Sequence, residues 1–222
     1  MQTVLLGDEI KRRRRELGLT QRELGEGICE AVTISRLENN KQLPSYSCIK
    51  VLLQRLDLPD DRYFALLSKN ESQIKSLREE IIPCNARRQN EAGLAYVRKL
   101  EKLAEPDDHI TQQFILRSKV ILGKPDGTAY TYSEKLEMLM RAIRLTVPRF
   151  ELDHIKNFLY GKDEVKVINQ IANVYSNGGE HEKAADIYNQ LLAYIHHHFE
   201  NLQHSEGLFP LVSFDYAHEL CF

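Results

Sequence analysis

Long apolar runs are missing from this 222-residue chain: none approaches the roughly 18 residues that a membrane-spanning helix needs. The amino end, Met-Gln-Thr-Val-Leu-Leu, runs straight into charged sequence and lacks the apolar core of a secretion signal. A cytoplasmic protein with no membrane partner is expected. Cysteine is scarce and scattered. Cys29, Cys48, Cys84 and Cys221 make no Cys-x-x-Cys and no even framework, which excludes a disulfide scaffold and predicts reduced, packed thiols. His196, His197 and His198 are consecutive, and neighbours on a helix point in three directions, so no metal site is expected. Catalytic signatures are absent as well. There is no P-loop, no Gly-x-Ser-x-Gly, no His-Glu-x-x-His and no paired Cys–His spacing, so neither enzymatic activity nor a cofactor is expected.

Charge of one sign is also lacking. Thirty Lys and Arg against 32 Asp and Glu leave a net charge of −2, which excludes a uniformly basic surface. The balance is local. Lys11, Arg12, Arg13, Arg14 and Arg15 form a cationic run, offset by Asp8, Glu9, Glu16, Glu23, Glu26 and Glu30. Such a run either lines phosphates or is a solvated helix face. A hydrophobic fraction of 42% and a charged fraction of 28% describe a globular protein long enough for a small domain and a larger one.

What is present concentrates between Leu19 and Pro44. Thr20 with Glu23 three residues on reads as a capping box, opening a short helix with Leu24 and Ile28 on one face. Gly25 and Gly27 let the chain turn. A second helix starts near Glu30 or Ala31, buries Ile34 and Leu37, and stops at Asn39-Asn40, since Asn tolerates the left-handed conformation. Two short amphipathic helices joined by a tight turn make a helix-turn-helix arrangement; the plainer reading is a helical hairpin in a bundle.

Leu19, Thr20, Gln21, Leu24, Ile34, Ser35, Arg36, Leu37, Glu38, Asn39 and Pro44 match the pattern of the lambda-repressor-like (Cro/XRE) helix-turn-helix, and the resemblance covers roughly residues 5 to 58. The turn departs from it, with Ile28-Cys29-Glu30 in place of the usual small-hydrophobic pair and glycine. In that form it resembles the peptide-responsive regulators of Gram-positive bacteria, the Rgg/PlcR-like group. The resemblance implies a DNA-binding head coupled to tetratricopeptide-type (TPR) helical repeats that take a short signalling peptide.

The first helix reads from Leu5 to Leu17 and ends at Gly18; Ser45 caps a fourth, carrying Ile49, Leu52, Leu53 and Leu56. A fifth opens at Asp60-Asp61 and keeps helical spacing through Ile74, Leu77 and Ile81 to Pro83. From Asn85 onward the chain reads as paired helices without strand alternation, and Gly123-Lys-Pro-Asp-Gly127 is the clearest turn. Val165–His198 fits one TPR repeat, about 34 residues long, with Ala172 and Ala184 at the small positions and Tyr175, Tyr188 and Leu191 at the large ones. Gly207 to Leu220 reads as the first helix of another repeat, with Ala217 in its small place and no partner helix after it. A shortened chain, or a last helix covered by a second subunit, is expected. The predicted fold is all-α: a five-helix, lambda-repressor-like head at residues 1–66, a linker helix at 67–84, and a TPR-like body at 85–222, incomplete at its C-terminus.

The reading face of the second motif helix is expected to be Ala31, Val32, Thr33 and Arg36, since Arg pairs with guanine and Val or Ala suits the thymine methyl. Gln21, Asn40 and Lys41 are phosphate candidates. A salt bridge to a neighbouring acid is the competing use of Arg36. In the repeat, Lys166, Asn169, Asn173 and Ser176 face inward, with Phe214 and His218 on the next wall. Asparagine both donates and accepts, which suits an extended peptide backbone; the alternative is a solvated helix face. One head covers a half-site, so a homodimer on palindromic double-stranded DNA is expected. Two other classes compete: a protein-interaction scaffold whose helix-turn-helix does not respond to a peptide, and a repeat-containing phosphatase, against which the head counts.

Overall fold

Thr20, Ser68 and Thr131 each precede a glutamate by three residues, and each starts a helix with both arms of a capping box closed. The computed structural model describes residues 5–59, 68–199 and 207–220, and every regular element among them is helical. Four helices form the head: α1 (Leu6–Glu16), α2 (Gln21–Gly25), α3 (Ala31–Glu38) and α4 (Tyr46–Arg55). Seven follow in the body: α5 (Lys69–Arg87), α6 (Asn90–Leu103), α7 (His109–Leu122), α8 (Tyr132–Thr146), α9 (Lys162–Asn177), α10 (His181–His198) and α11 (Leu208–Glu219). A 3-10 segment, Leu152–Asn157, lies between α8 and α9. The start of the expected fifth head helix at Asp60 lies outside the described residues.

Ile10, Leu24, Ile34, Leu37, Ile49, Leu52, Leu53 and Leu56 meet in one buried cluster that closes the head. All but Ile10 are positions named from the helical spacing, and Leu17, the C-cap of α1, stays exposed. Gly18 (φ +68°) and Asn40 (φ 54°) end α1 and α3 in the left-handed region.

In the body, each helix packs on the next in chain order, and α5 also meets α7 while α9 meets α11. That is the arrangement of stacked helical pairs, in which no pair buries its face alone. Ala172 and Ala184 are fully buried between α9 and α10, with Tyr188 and Leu191 packed around them. Ala217, by contrast, is exposed. α5 also departs from expectation. It passes through Pro83 and ends at Arg87, where Arg88 turns left-handed (φ 52°). Proline inside a helix costs about 3 kcal/mol. Here Ile81 and Cys84 on either side are buried in a cluster with Leu94, Val97 and Leu100, and that packing offsets the loss.

Head and body are docked through the α2–α3 turn. Arg55, at the end of α4, is 2% exposed and donates to the carbonyls of Leu24 (3.1 Å) and Glu26 (2.8 Å) in the head and of Thr146 (3.0 Å) in the body. Its guanidinium also lies 3.7 Å from the buried carboxylate of Glu164. Gly27 (φ +71°) presses on the same place: a Cβ there would sit 2.1 Å from the Thr146 carbonyl oxygen. The backbone N–H of Lys162 donates to Gln54 Oε1 (2.9 Å), and Arg149 forks onto Glu26 with two 2.7 Å bonds.

His198 belongs to this seam. It stacks on Tyr194 (centroids 5.0 Å apart) while His196 and His197 face solvent, so the three histidines diverge as their spacing requires. Burial holds the His198 pKa down, to about 4, against hydrogen bonding to the backbone of Arg55 and Gln54; Arg13 and His197 add to the lowering. The folded ring is therefore neutral where the unfolded one titrates near 6.5. Stability is full above that pH and falls as the pH drops toward 4, by up to roughly 3 kcal/mol. Urea titrations between pH 7 and pH 4 are expected to show this loss, and His198→Gln to flatten it.

Candidate nucleic-acid interface

The orientation of α3 follows from what its other side must bury. Ile34 and Leu37 are fully buried, and Glu38, 1% exposed, is held beneath the helix by three donors. Arg14 forks onto it through Nε (2.5 Å) and Nη2 (2.8 Å), and the Gln21 amide adds a third bond at 2.8 Å. Burial pushes the Glu38 carboxyl up, but those hydrogen bonds outweigh it and hold the group below the ordinary carboxylate value. With that side fixed, Ala31, Val32 and Arg36 face solvent and Thr33 is half-exposed. Among the described residues Arg36 pairs with no acid; its guanidinium reaches Gln42 Oε1 at 3.3 Å.

The expected phosphate candidates divide. Lys41 is exposed just past the end of α3. Gln21 has its amide committed to Glu38, and Asn40 has both side-chain atoms on α1, accepting from Gly7 N–H (3.2 Å) and donating to Asp8 (3.3 Å). Three cations of the run are engaged within the head: Arg12 pairs with Glu9 and Glu16, Arg13 donates to the Leu56 carbonyl (3.0 Å), and Arg14 is buried on Glu38. Arg12 fits the reading of a solvated helix face, whereas Arg13 and Arg14 are drawn onto the head core.

The expected peptide residues are not all brought together. Asn169 and Asn173 stand side by side on α9, and both amides donate to one carboxylate of α11, Asp215, at 2.6 and 3.0 Å. Asn173 accepts in addition from the Tyr188 hydroxyl, while the Asn169 Oδ1 is buried without a partner. Phe214 and His218 lie on exposed positions of α11, Phe214 at 73%. Ser176 is half-buried further along α9. Lys166 sits apart, 3.9 Å from Asp163, lining a cleft of about 220 Å³ between α4, α5 and the start of α9.

Residues 5–63 match the family model of a helix-turn-helix domain. The helix-turn-helix thus comprises α2 and α3, with α1 and α4 completing its core. Over 97% of this chain and 72% of the other, the fold matches Bacillus thuringiensis PlcR, solved in complex with the peptide PapR7 and DNA, at a TM-score of 0.50 and 23% identity. A comparison with curated protein sequences gives no match.

Three functional groups, two at the helix-turn-helix and one in the body, carry no clear sequence signal. Glu38 fits the motif, but its partner Arg14 lies 24 residues away inside what reads as a solvent-facing run. Arg55 is an ordinary helix-terminal cation in the sequence. Asp215 had no signal beyond standing next to Phe214.

Proposed function

We propose that this chain is a sequence-specific DNA-binding transcriptional regulator, acting as a homodimer on a palindromic site, whose helical body takes a short signalling peptide. The observation that carries the DNA reading is the solvent-facing surface of α3, Ala31, Val32, Thr33 and Arg36, set by the burial of Ile34, Leu37 and Glu38 beneath it. A helix so presented fits the major groove, where Arg36 reaches guanine edges and Val32 a thymine methyl. Lys41 then meets the backbone. Selection from a random duplex pool tests this. The wild type is expected to enrich a palindrome. Arg36→Ala is expected to lose about 1–3 kcal/mol and relax one position in each half-site, while Lys41→Ala weakens every sequence alike. An unchanged preference in Arg36→Ala would mean that another surface reads the bases.

The peptide reading is supported by the paired asparagines of the TPR-like pair α9–α10, whose amides already hold a carboxylate in the orientation a peptide backbone or terminus would need. Asp215 is then the internal competitor that a ligand displaces. A ligand shifts DNA binding only through different affinity for two arrangements, and the α2–α3 turn, docked on Thr146 by Arg55, is one place where the body reaches the head. Asn169→Ala with Asn173→Ala is expected to abolish the DNA-binding response to a pooled library of short synthetic peptides while leaving basal DNA binding intact. Asp215→Ala is expected to strengthen that response. The occupied amides also favour a second reading, a helix-turn-helix scaffold that takes no peptide, in which Asp215 serves only to join α9 and α11. In that case the double variant and the wild type are alike unresponsive, and the double variant loses helix stability.

A further inference from the structure

The cleft of about 220 Å³ that Lys166 lines is walled by head and body together, by α4 on one side and by α5 and the start of α9 on the other. Buried Val51, Ile74 and Ile110 give it an apolar floor. Five cations line it: Lys50 from α4, Lys75 and Arg78 from α5, and Lys162 and Lys166 from α9. The acids among the lining residues are three, Glu71, Glu79 and Asp163. Lys162 and Asp163 are also the first two residues of α9, whose amino end adds the positive pole of its dipole.

Those acids meet only part of the positive charge. Both oxygens of Glu71 accept from backbone N–H groups, of Tyr46 (2.9 Å) and of Ser68 (2.8 Å). Glu79 lies 3.9 Å from Lys75. Asp163 is shared among three cations: it pairs with Arg78, lies 3.9 Å from Lys166, and feels Arg117 as well. Burial pushes the Asp163 carboxyl up, but the three cations outweigh it and hold the pKa at about 2. The Arg117 Nε is buried without a partner among the described residues. Lys50, Lys162 and Lys166 have interactions within the chain besides, so the surplus belongs to the lining as a whole. Five cations against three acids leave two charges to be met. A single carboxylate meets one. A phosphate monoester carries close to two near neutral pH, and lysine binds it as a point charge.

We propose that this cleft binds a small phosphate monoester with an apolar body, its phosphate among the lysines and its body on Val51, Ile74 and Ile110. Pockets of this kind combine an apolar lining with a few charged groups that fix the ligand. With α4 as one wall and α5 and α9 as the others, the bound ester cross-links head and body. The site lies apart from the Asn169–Asn173 pair that holds Asp215, and neither DNA nor a peptide is needed for binding.

The test titrates phenyl phosphate into the full chain by calorimetry at fixed ionic strength, with inorganic phosphate and phenol as the two halves of the ligand. Phenyl phosphate is expected to saturate a single site with a Kd below about 1 mM. Inorganic phosphate is expected to bind at least about tenfold more weakly, because it leaves the apolar floor uncovered. Lys50→Gln with Lys166→Gln is expected to weaken phenyl phosphate at least about tenfold. Lys75→Gln, at an exposed position, keeps the test open should that pair fail to fold, and is expected to weaken binding about threefold. Lys99→Gln with Lys102→Gln removes the same charge from the exposed side of α6 and is expected to change nothing. Three results overturn the proposal: phenyl phosphate does not saturate by about 10 mM, inorganic phosphate binds as tightly, or the α6 pair weakens binding as much as the cleft variants. No DNA enters these titrations, so failure of the DNA-binding reading leaves the result intact.

Discussion

Arg55→Ala is expected to cost about 3–5 kcal/mol and to split the thermal unfolding of this chain into two transitions. The size follows from what the side chain leaves behind. Arg55 is 2% exposed, so solvent does not replace it. The carbonyls of Leu24, Glu26 and Thr146 lose their guanidinium donor, and the carboxylate of Glu164, 1% exposed, loses its ion-pair partner. The splitting follows from where those groups lie. The Leu24 and Glu26 carbonyls belong to the head and the Thr146 carbonyl and Glu164 carboxylate to the body, so removing the guanidinium is expected to uncouple the two buried clusters. Of the remaining links, the exposed Arg149–Glu26 pair contributes little, and Lys162 N–H to Gln54 and Tyr46 N–H to Glu71 are single hydrogen bonds. Calorimetry showing one transition, shifted by less than about 1 kcal/mol, would count against Arg55 as the joint.

Glu38→Ala is expected to remove about 3 kcal/mol from the head alone, because it strands Arg14, 8% exposed, without its carboxylate. The Gln21 amide loses its acceptor at the same time. Glu38→Gln keeps one acceptor and loses the charge, so its expected cost is smaller. The pH dependence has a definite sign. The folded Glu38 pKa lies below the unfolded one, so the contribution is present above the unfolded carboxylate pKa and is lost as the pH falls through the lowered value. Urea denaturation of both variants at neutral and acid pH checks this; an acid-induced loss equal in wild type and Glu38→Ala would assign it to other groups.

Local chemistry was what the sequence made legible. Thr20, Ser45, Gly18 and Asn40 each act on the next turn of chain, and each ends or begins a helix where its own properties require. The apolar spacing of Ile34 and Leu37 likewise chose the buried side of α3, and with it the exposed one. Pro83 misled, because the rule that proline stops a helix is local while the burial of Ile81 and Cys84 is not. What remained hidden depends on partners far apart in sequence: Arg55 and Thr146 are separated by 91 residues, Asn169 and Asp215 by 46. A polar residue has several possible partners, and composition and spacing do not choose among them. The run from Lys11 to Arg15 makes the point in miniature, since Glu9, Glu16 and Glu38 decide the use of Arg12 and Arg14.

Sequence-specific DNA binding through α3 is best tested by a mobility shift on DNA flanking the protein's own gene, with excess random-sequence duplex as competitor. A retarded band is expected that survives the competitor, weakens steeply as salt rises, and loses its selectivity in Arg36→Ala. A wild-type band that random duplex competes away as readily as the flanking DNA itself, or no band at all, would contradict it.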